Sequence, residues 1–213
     1  MTEGPGQLSF DAGDEVASVA VPGLRYIAGW LDPEACRELL ARIEAGTWST
    51  ELRRRVQHYG HRYDYGRRSV TADPRSADPR TSADAPPLPS WALRQAERLA
   101  REGIMEPRAD QVIVNEYEPG QGISAHVDCV PCFGPVVAAI SLGSGCVMDF
   151  THPGDGTKTG VPLAPGSLCV MTGAARYDWR HGIAARKSDP EGAVRVPRGR
   201  RVSVTFRTVL GPG

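Results

Sequence analysis

The chain has 213 residues with 25 basic and 25 acidic side chains, so its formal net charge is zero, which argues against indiscriminate binding to polyanions. With 40% apolar and 23% charged residues it reads as one soluble globular domain, long enough to bury a core. No apolar run approaches the roughly 20 residues that cross a bilayer, and the first six residues have neither a basic nor an apolar signal region, so a cytoplasmic protein without a membrane partner is expected.

Residues 1–20 lack periodicity and are expected to be a flexible tail, with residues 21–213 forming a single domain. Leu24 to Leu31 reads as a strand. Asp32 then offers an N-cap and Pro33 a first helical position for a helix that runs to about Ala45 and stops at Gly46. Leu39, Leu40 and Ile43 fall on one face of that helix, whose role is to cover a sheet. Residues 52–69 interleave arginine and tyrosine, including Arg53, Arg54, Arg55, Arg62, Tyr63 and Tyr65. Planar side chains stack on an unpaired base while guanidinium groups hold a backbone, and single-stranded recognition uses that mixture; an ordinary amphipathic hairpin would show the same pattern.

Residues 71–90 repeat Ala-Asp-Pro-Arg and continue into a proline run, the composition of a mobile loop inside the domain. Ser90 is expected to cap a second helix from Trp91 to about Arg101, with Trp91, Leu93, Ala96 and Leu99 inward. From Gln111 onward short β-rich runs alternate with turns: Gln111 to Glu116, Ile123 to Val127, Val136 to Leu142, Val147 to Thr151, Ser167 to Met171, Tyr177 to Gly182 and Arg201 to Val209. That pattern predicts a mainly β protein with flanking helices, a double-stranded β-helix or jelly roll.

Charge is unevenly distributed. Residues 51–68 carry six arginines against Glu51 and Asp64, and residues 176–207 carry nine Lys or Arg against three acids. The two surpluses predict a phosphate-binding rim.

The stretch from Asn115 to Asp128 ends in a His-x-Asp pair. On an extended strand residues two apart point the same way, so His126 and Asp128 can close on one ion. His181 is the third candidate, since two histidines and one carboxylate make the facial triad of non-haem Fe(II) oxygenases. That triad leaves positions for O2 and a bidentate 2-oxo acid, whose far end needs a cation. Arg201 and Arg207 lie six apart on one strand face, within a run apolar enough that unpaired guanidinium groups would be costly.

The ordered series Asn-x-Tyr-x-Pro-Gly from Asn115, His-x-Asp from His126, Ser-Leu-Gly from Ser141, His-Gly-Ile from His181 and Arg-x-Ser-x-Thr-Phe-Arg from Arg201 resembles the AlkB family of Fe(II)- and 2-oxoglutarate-dependent dioxygenases. The resemblance runs from about Tyr59 to Val209 and implies Fe(II) on His126, Asp128 and His181. It implies a 2-oxoglutarate site in which Asn115 and Arg207 meet the metal-end carboxylate, and Arg201 with Tyr117 meets the distal one, with Ser203 alongside. Residues 52–69 would be the nucleotide-recognition lid. The implied reaction consumes O2 and 2-oxoglutarate and hydroxylates a C–H bond; a methyl on nitrogen would then leave as formaldehyde.

Within the family, Glu118 to His126, Val147 to Phe150 and Val170 to Gly173 resemble members that hydroxylate a modified wobble uridine of transfer RNA. Val130 stands where repair-type members carry an acid against the methylated base. The expected activity is therefore hydroxylation or oxidative demethylation of a nucleobase in RNA, single-stranded or looped, by a monomer. Repair of alkylated DNA, or oxygenation of a protein side chain or small metabolite, are the alternatives. Cys129 and Cys132 lack the second pair that zinc wants, and with five cysteines in no framework spacing they read as free thiols in a loop.

Overall fold

The computed structural model of the chain describes residues 21–50, 52–64, 69–70 and 85–210. The expected tail, Tyr65 and most of the expected 71–90 loop lie outside the described residues. In chain order the elements are β1 Leu24–Ile27, α1 Pro33–Glu44, β2 Val56–Tyr59, β3 Tyr63–Asp64, β4 Ser69–Val70, α2 Ser90–Arg101, β5 Gln111–Tyr117, β6 Ile123–His126 and β7 Val137–Gly143. They continue with β8 Cys146–Thr151, β9 Lys158–Leu163, β10 Leu168–Met171, α3 Gly173–Tyr177, β11 Arg180–Ile183, β12 Ser188–Glu191, β13 Val194–Pro197 and β14 Arg201–Arg207.

A six-stranded sheet in the order β1-β10-β7-β14-β5-β2 faces a four-stranded sheet in the order β6-β11-β8-β9, with antiparallel pairing throughout, and the two form a jelly roll. Strands β5 and β14 are buried along their whole length because both of their faces are covered. Val112, Val114, Val202, Val204 and Phe206 point outward into a core completed by Leu39 and Ile43 of α1 and by Trp91 and Leu99 of α2. The alternate residues point between the sheets, where Tyr117 joins Cys146, Phe150, Leu163, Cys169 and Trp179 in a second core. Polar side chains at the mouth of that inner layer build the site.

The helices follow local chemistry. Asp32 accepts from the Ala35 amide at 2.8 Å with Pro33 in the first turn, and α1 buries Leu39 and Ile43. Ser90, expected as a cap, is instead the first helical residue; Pro89 holds the N-cap position and no side chain caps the helix. The inner face of α2 takes Ala92 rather than Leu93, because Ala92, Ala96 and Leu99 are spaced by four and three and stack on one stripe. Tyr177, expected in a strand, closes the short helix α3, and β11 starts only at Arg180. Gly160 and Pro162 conceal the β9 pattern, which survives because β9 is an edge strand. Strand β12, Ser-Asp-Pro-Glu, has little intrinsic strand preference and is held by buried Asp189, which accepts from Arg198, Arg186 and the Val147 amide.

Candidate active site

His126 at the end of β6 and His181 on β11 are direct cross-strand partners, and Asp128 follows in the loop after β6. Glycine at position 182 is what lets those strands meet, since a Cβ there would come within 2.9 Å of the Ala125 backbone. The register then shifts between His181 and Ile183, a bulge beside the site. Ligand atoms of His126, Asp128 and His181 all lie within 4.8 Å of one another, and Asp128 Oδ1 is 3.4 Å from His126 Nε2 and 4.0 Å from His181 Nε2.

The electrostatics leave all three as donors. His126 Nδ1 sits 2.8 Å from the Ser124 carbonyl oxygen, which can only accept, so Nδ1 carries the proton of the neutral ring and Nε2 is the nitrogen left to bind a metal. Burial pushes the His181 imidazole down to about 4, so it is neutral near pH 7. Burial by itself would raise the Asp128 carboxyl, but Arg207 and the two histidines outweigh it and hold the group well below the usual carboxylate range. Two imidazole nitrogens and one carboxylate oxygen are the donor set that suits Fe(II).

Deeper in the roll lies Arg201, only 3% exposed. Its Nη2 donates to Ser141 Oγ at 3.0 Å and its guanidinium approaches the Tyr117 ring at 5.6 Å, while Nε and Nη1 are buried with no acceptor among the described residues. Leaving buried N–H groups of a cation unsatisfied costs several kcal/mol on the order-of-magnitude scale, and a planar fork of donors fits a carboxylate. Arg207 donates its Nε to Asp128 Oδ2 at 2.9 Å, and its Nη1 is likewise buried without an acceptor among the described residues. Asn115 and Ser203 face each other across β5 and β14, both buried. This chain therefore presents unfilled cationic donors at both ends of one face of β14, one of them beside Asp128, as a dicarboxylic 2-oxo acid requires.

A cavity of about 550 Å³ opens onto His126 and Asp128, with Arg53, Arg54, Tyr63, Cys129 and Phe133 among its walls. Of the residues expected to contact substrate, Arg53, Arg54 and Tyr63 line this cavity, whereas Arg55 does not. Consecutive residues of an extended chain point to opposite faces. Arg54 accordingly reaches Asn115 on the inner face of β5, and Arg55 grips Glu116 on the outer face, with Nη2–Oε1 at 2.7 Å, while stacking over Trp48. Arg62 borders a separate hollow of about 420 Å³. Tyr65 lies outside the described residues.

Other expectations need correction. Most of the 176–207 cation cluster is not a phosphate rim: Arg186 and Arg198 pair with Asp189, Arg200 pairs with Glu116 and Glu44, and Arg176, Arg201 and Arg207 are buried. Cys129 and Cys132 are not free thiols but a disulfide; main-chain hydrogen bonds from Cys132 and Phe133 to the Cys129 carbonyl make a tight turn that brings the two Cα atoms to 5.3 Å. Val130 is 47% exposed, and at this point the cavity wall is Cys129.

One structural residue escaped the sequence reading. Arg176, 2% exposed, spends its guanidinium on the carbonyls of Asp128, Cys129, Phe133 and Gly134 at 3.0–3.3 Å, clamping both ends of the loop that carries the carboxylate ligand. The only signal was an isolated arginine in the small-residue run Gly173-Ala174-Ala175.

Comparison with known proteins agrees with this donor set. Residues 23–207 match the model of the 2OG-Fe(II) oxygenase superfamily. The chain is 35% identical over 214 aligned residues to the tRNA (carboxymethyluridine(34)-5-O)-methyltransferase ALKBH8 of Macaca fascicularis, covering 88% of this chain but only 30% of that protein. It is 33% identical over 178 residues to the mitochondrial alpha-ketoglutarate-dependent dioxygenase alkB homolog 7 of Mus musculus, covering 82% of this chain and 78% of that one. Among solved structures OsALKBH1 superposes with a TM-score of 0.62 at 19% identity, over 88% of this chain and 97% of its own, which is agreement in fold. The chain belongs to the AlkB family within the 2OG-Fe(II) oxygenase superfamily, and it is a dioxygenase that uses Fe(II), 2-oxoglutarate and O2.

Proposed function

We propose that this dioxygenase hydroxylates or oxidatively demethylates a nucleobase in RNA, with an unpaired base of a transfer-RNA loop as its substrate. The observation that carries the reading is the cavity that reaches His126 and Asp128 and is walled by Arg53, Arg54 and Tyr63. Tyr63 packs against Phe133 with ring centroids 5.5 Å apart, offering a flat base an aromatic wall, while arginine suits the neighbouring phosphates. ALKBH8, named as a methyltransferase of carboxymethyluridine 34 in transfer RNA, supports the choice of RNA, and the chain spans less than a third of it.

Fe(II), when bound with 2-oxoglutarate and O2, supplies the oxidant for a substrate C–H bond. The chain's own residues do the positioning. His126, Asp128 and His181 hold the metal, Arg201 with Tyr117 and Ser203 receives the distal carboxylate, and Asn115 and Arg207 receive the metal-end carboxylate. Burying the oxo acid deep in the roll leaves the outer cavity for the base, and a looped strand avoids the few kcal/mol that flipping a base from a duplex costs.

A direct comparison of succinate release on native transfer RNA and on methylated DNA oligonucleotides, at matched salt, tests the proposal. Turnover on transfer RNA with little on 1-methyladenine DNA is expected. Robust turnover on methylated DNA with none on transfer RNA would restore the repair reading, which a relative named "Alkylated DNA repair protein ALKBH8 homolog" in Arabidopsis thaliana also raises. Silence on both would favour a protein or metabolite substrate.

A further inference from the structure

We infer that Arg54 is a positioning residue for the oxo acid: it locks the Asn115 amide in one orientation and thereby ties 2-oxoglutarate affinity to the segment that walls the substrate cavity. The contact is Arg54 Nε to Asn115 Oδ1 at 2.9 Å. A guanidinium only donates, so the amide oxygen must face Arg54 and the Nδ2 hydrogens must face the other way. With its oxygen held, Asn115 presents donors rather than an acceptor to its remaining surroundings. Free to rotate, the amide could turn its oxygen toward an incoming carboxylate, which repels it.

The rest of the local structure supports a fixed Arg54. Val56 pairs with Asn115 in the β2–β5 ladder, and the Glu116 amide donates to the Arg55 carbonyl at 3.0 Å, so the backbone is tied to β5 from the residue next to Arg54 onward. The Arg55–Glu116 ion pair anchors the next residue on the opposite face. Arg54 also lies 5.9 Å from the Tyr117 ring centroid, the same ring that Arg201 approaches at 5.6 Å. One side chain from the segment therefore bonds Asn115 and approaches Tyr117, two inward residues of β5. Arg53, next along the same segment, borders the cavity and accepts through its carbonyl from Gln121 Nε2 at 2.9 Å. A substrate that moves this segment changes the hold on Asn115, and by linkage 2-oxoglutarate changes substrate affinity by the same factor.

The inference rests on Asn115 contacting the oxo acid, and a double-mutant cycle separates the two claims. 2-Oxoglutarate is titrated calorimetrically into protein loaded with Mn(II), so no turnover intervenes, for wild type, Arg54→Met, Asn115→Ala and the double variant. Each single variant should weaken Kd about tenfold, and the double should be no weaker than Asn115→Ala, since Arg54 acts through that amide. Mn(II) affinity without the oxo acid should stay within about twofold in Arg54→Met, because the bonds that hold His126 and Asp128 come from Ser124, Arg176 and Arg207. Additive losses, about a hundredfold in the double variant, would mean that Arg54 holds the ligand itself and would overturn the inference. A weakened Asn115→Ala beside an unaffected Arg54→Met would overturn it while sparing the role of Asn115. An unaffected Asn115→Ala would remove both.

Discussion

Arg207 Nε donates to Asp128 Oδ2 at 2.9 Å, so the last arginine of β14 and the carboxylate ligand after β6 share one buried ion pair. The pair joins the two sheets at the metal site. It is also a main reason that Asp128 stays ionised despite burial.

Protons compete with metal for Asp128, and a lowered pKa keeps the carboxylate available into acid. Arg207→Gln removes the strongest of the influences that lower it, so the carboxyl moves up and loss of metal begins at a higher pH. Mn(II) titrations from pH 7 downward should show that limb displaced toward neutrality relative to wild type. Superimposable pH curves would show that Arg207 does not govern Asp128.

His126→Ala, Asp128→Ala and His181→Ala should each lower 2-oxoglutarate turnover at least about a hundredfold, because three protein donors are needed to hold an open facial site. Succinate release measures this. Wild-type rates in the Asp128→Ala protein would refute the ligand assignment.

Arg201→Lys should raise the KM for 2-oxoglutarate roughly tenfold or more with a smaller effect on kcat, since an ammonium cannot reproduce a bidentate fork on the distal carboxylate. The buried Nε and Nη1, without acceptors among the described residues, are the reason to expect it. An unchanged KM would place the carboxylate elsewhere.

Metal-free protein should lose stability as pH falls from about 6.5 to about 4, the interval between the ordinary histidine value and that of buried His181. Below 6.5 the unfolded chain binds a proton that the folded chain refuses, so unfolding is favoured until the folded imidazole also titrates near 4. The loss is about 3 kcal/mol at about 1.36 kcal/mol per unit. Thermal melts of His181→Gln should be flatter across that interval, and equal slopes would assign the effect to other groups.

Alkylation of denatured protein should label three cysteines without reductant and all five after reduction, because Cys129 and Cys132 are paired and Cys36, Cys146 and Cys169 are free. In the native protein half-buried Cys36 should react first, since burial pushes the Cys169 thiol up to about 12 and shields it. Five labels before reduction would show that the pair is open in solution. Mass spectrometry of the intact chain reads the count.

Much of this protein is written in local periodicity. A two-residue repeat assigns Asn115 and Tyr117 to one face of β5, and Arg201, Ser203 and Arg207 to one face of β14, because a pleated chain must alternate its side chains. The same repeat joined His126 to Asp128, and a proline after a capping aspartate announced α1. Periodicity specifies a face but not the partner opposite it. That His181 lies across from His126, that Arg54 meets Asn115 while Arg55 meets Glu116, and that Arg176 closes on the Asp128 loop all depend on which strands become neighbours. These contacts span between 48 and 61 positions along the chain for the arginine bonds, and only the packing of two sheets brings them together. Strand β12 makes the same point, since Ser188 to Glu191 favour no strand and buried Asp189 with two arginines holds them there. The sequence by itself determined the family, the faces and the ligand types; tertiary structure alone decided which cations face the site and which are consumed in the scaffold, because a charge is committed by its spatial neighbours rather than by its neighbours in sequence.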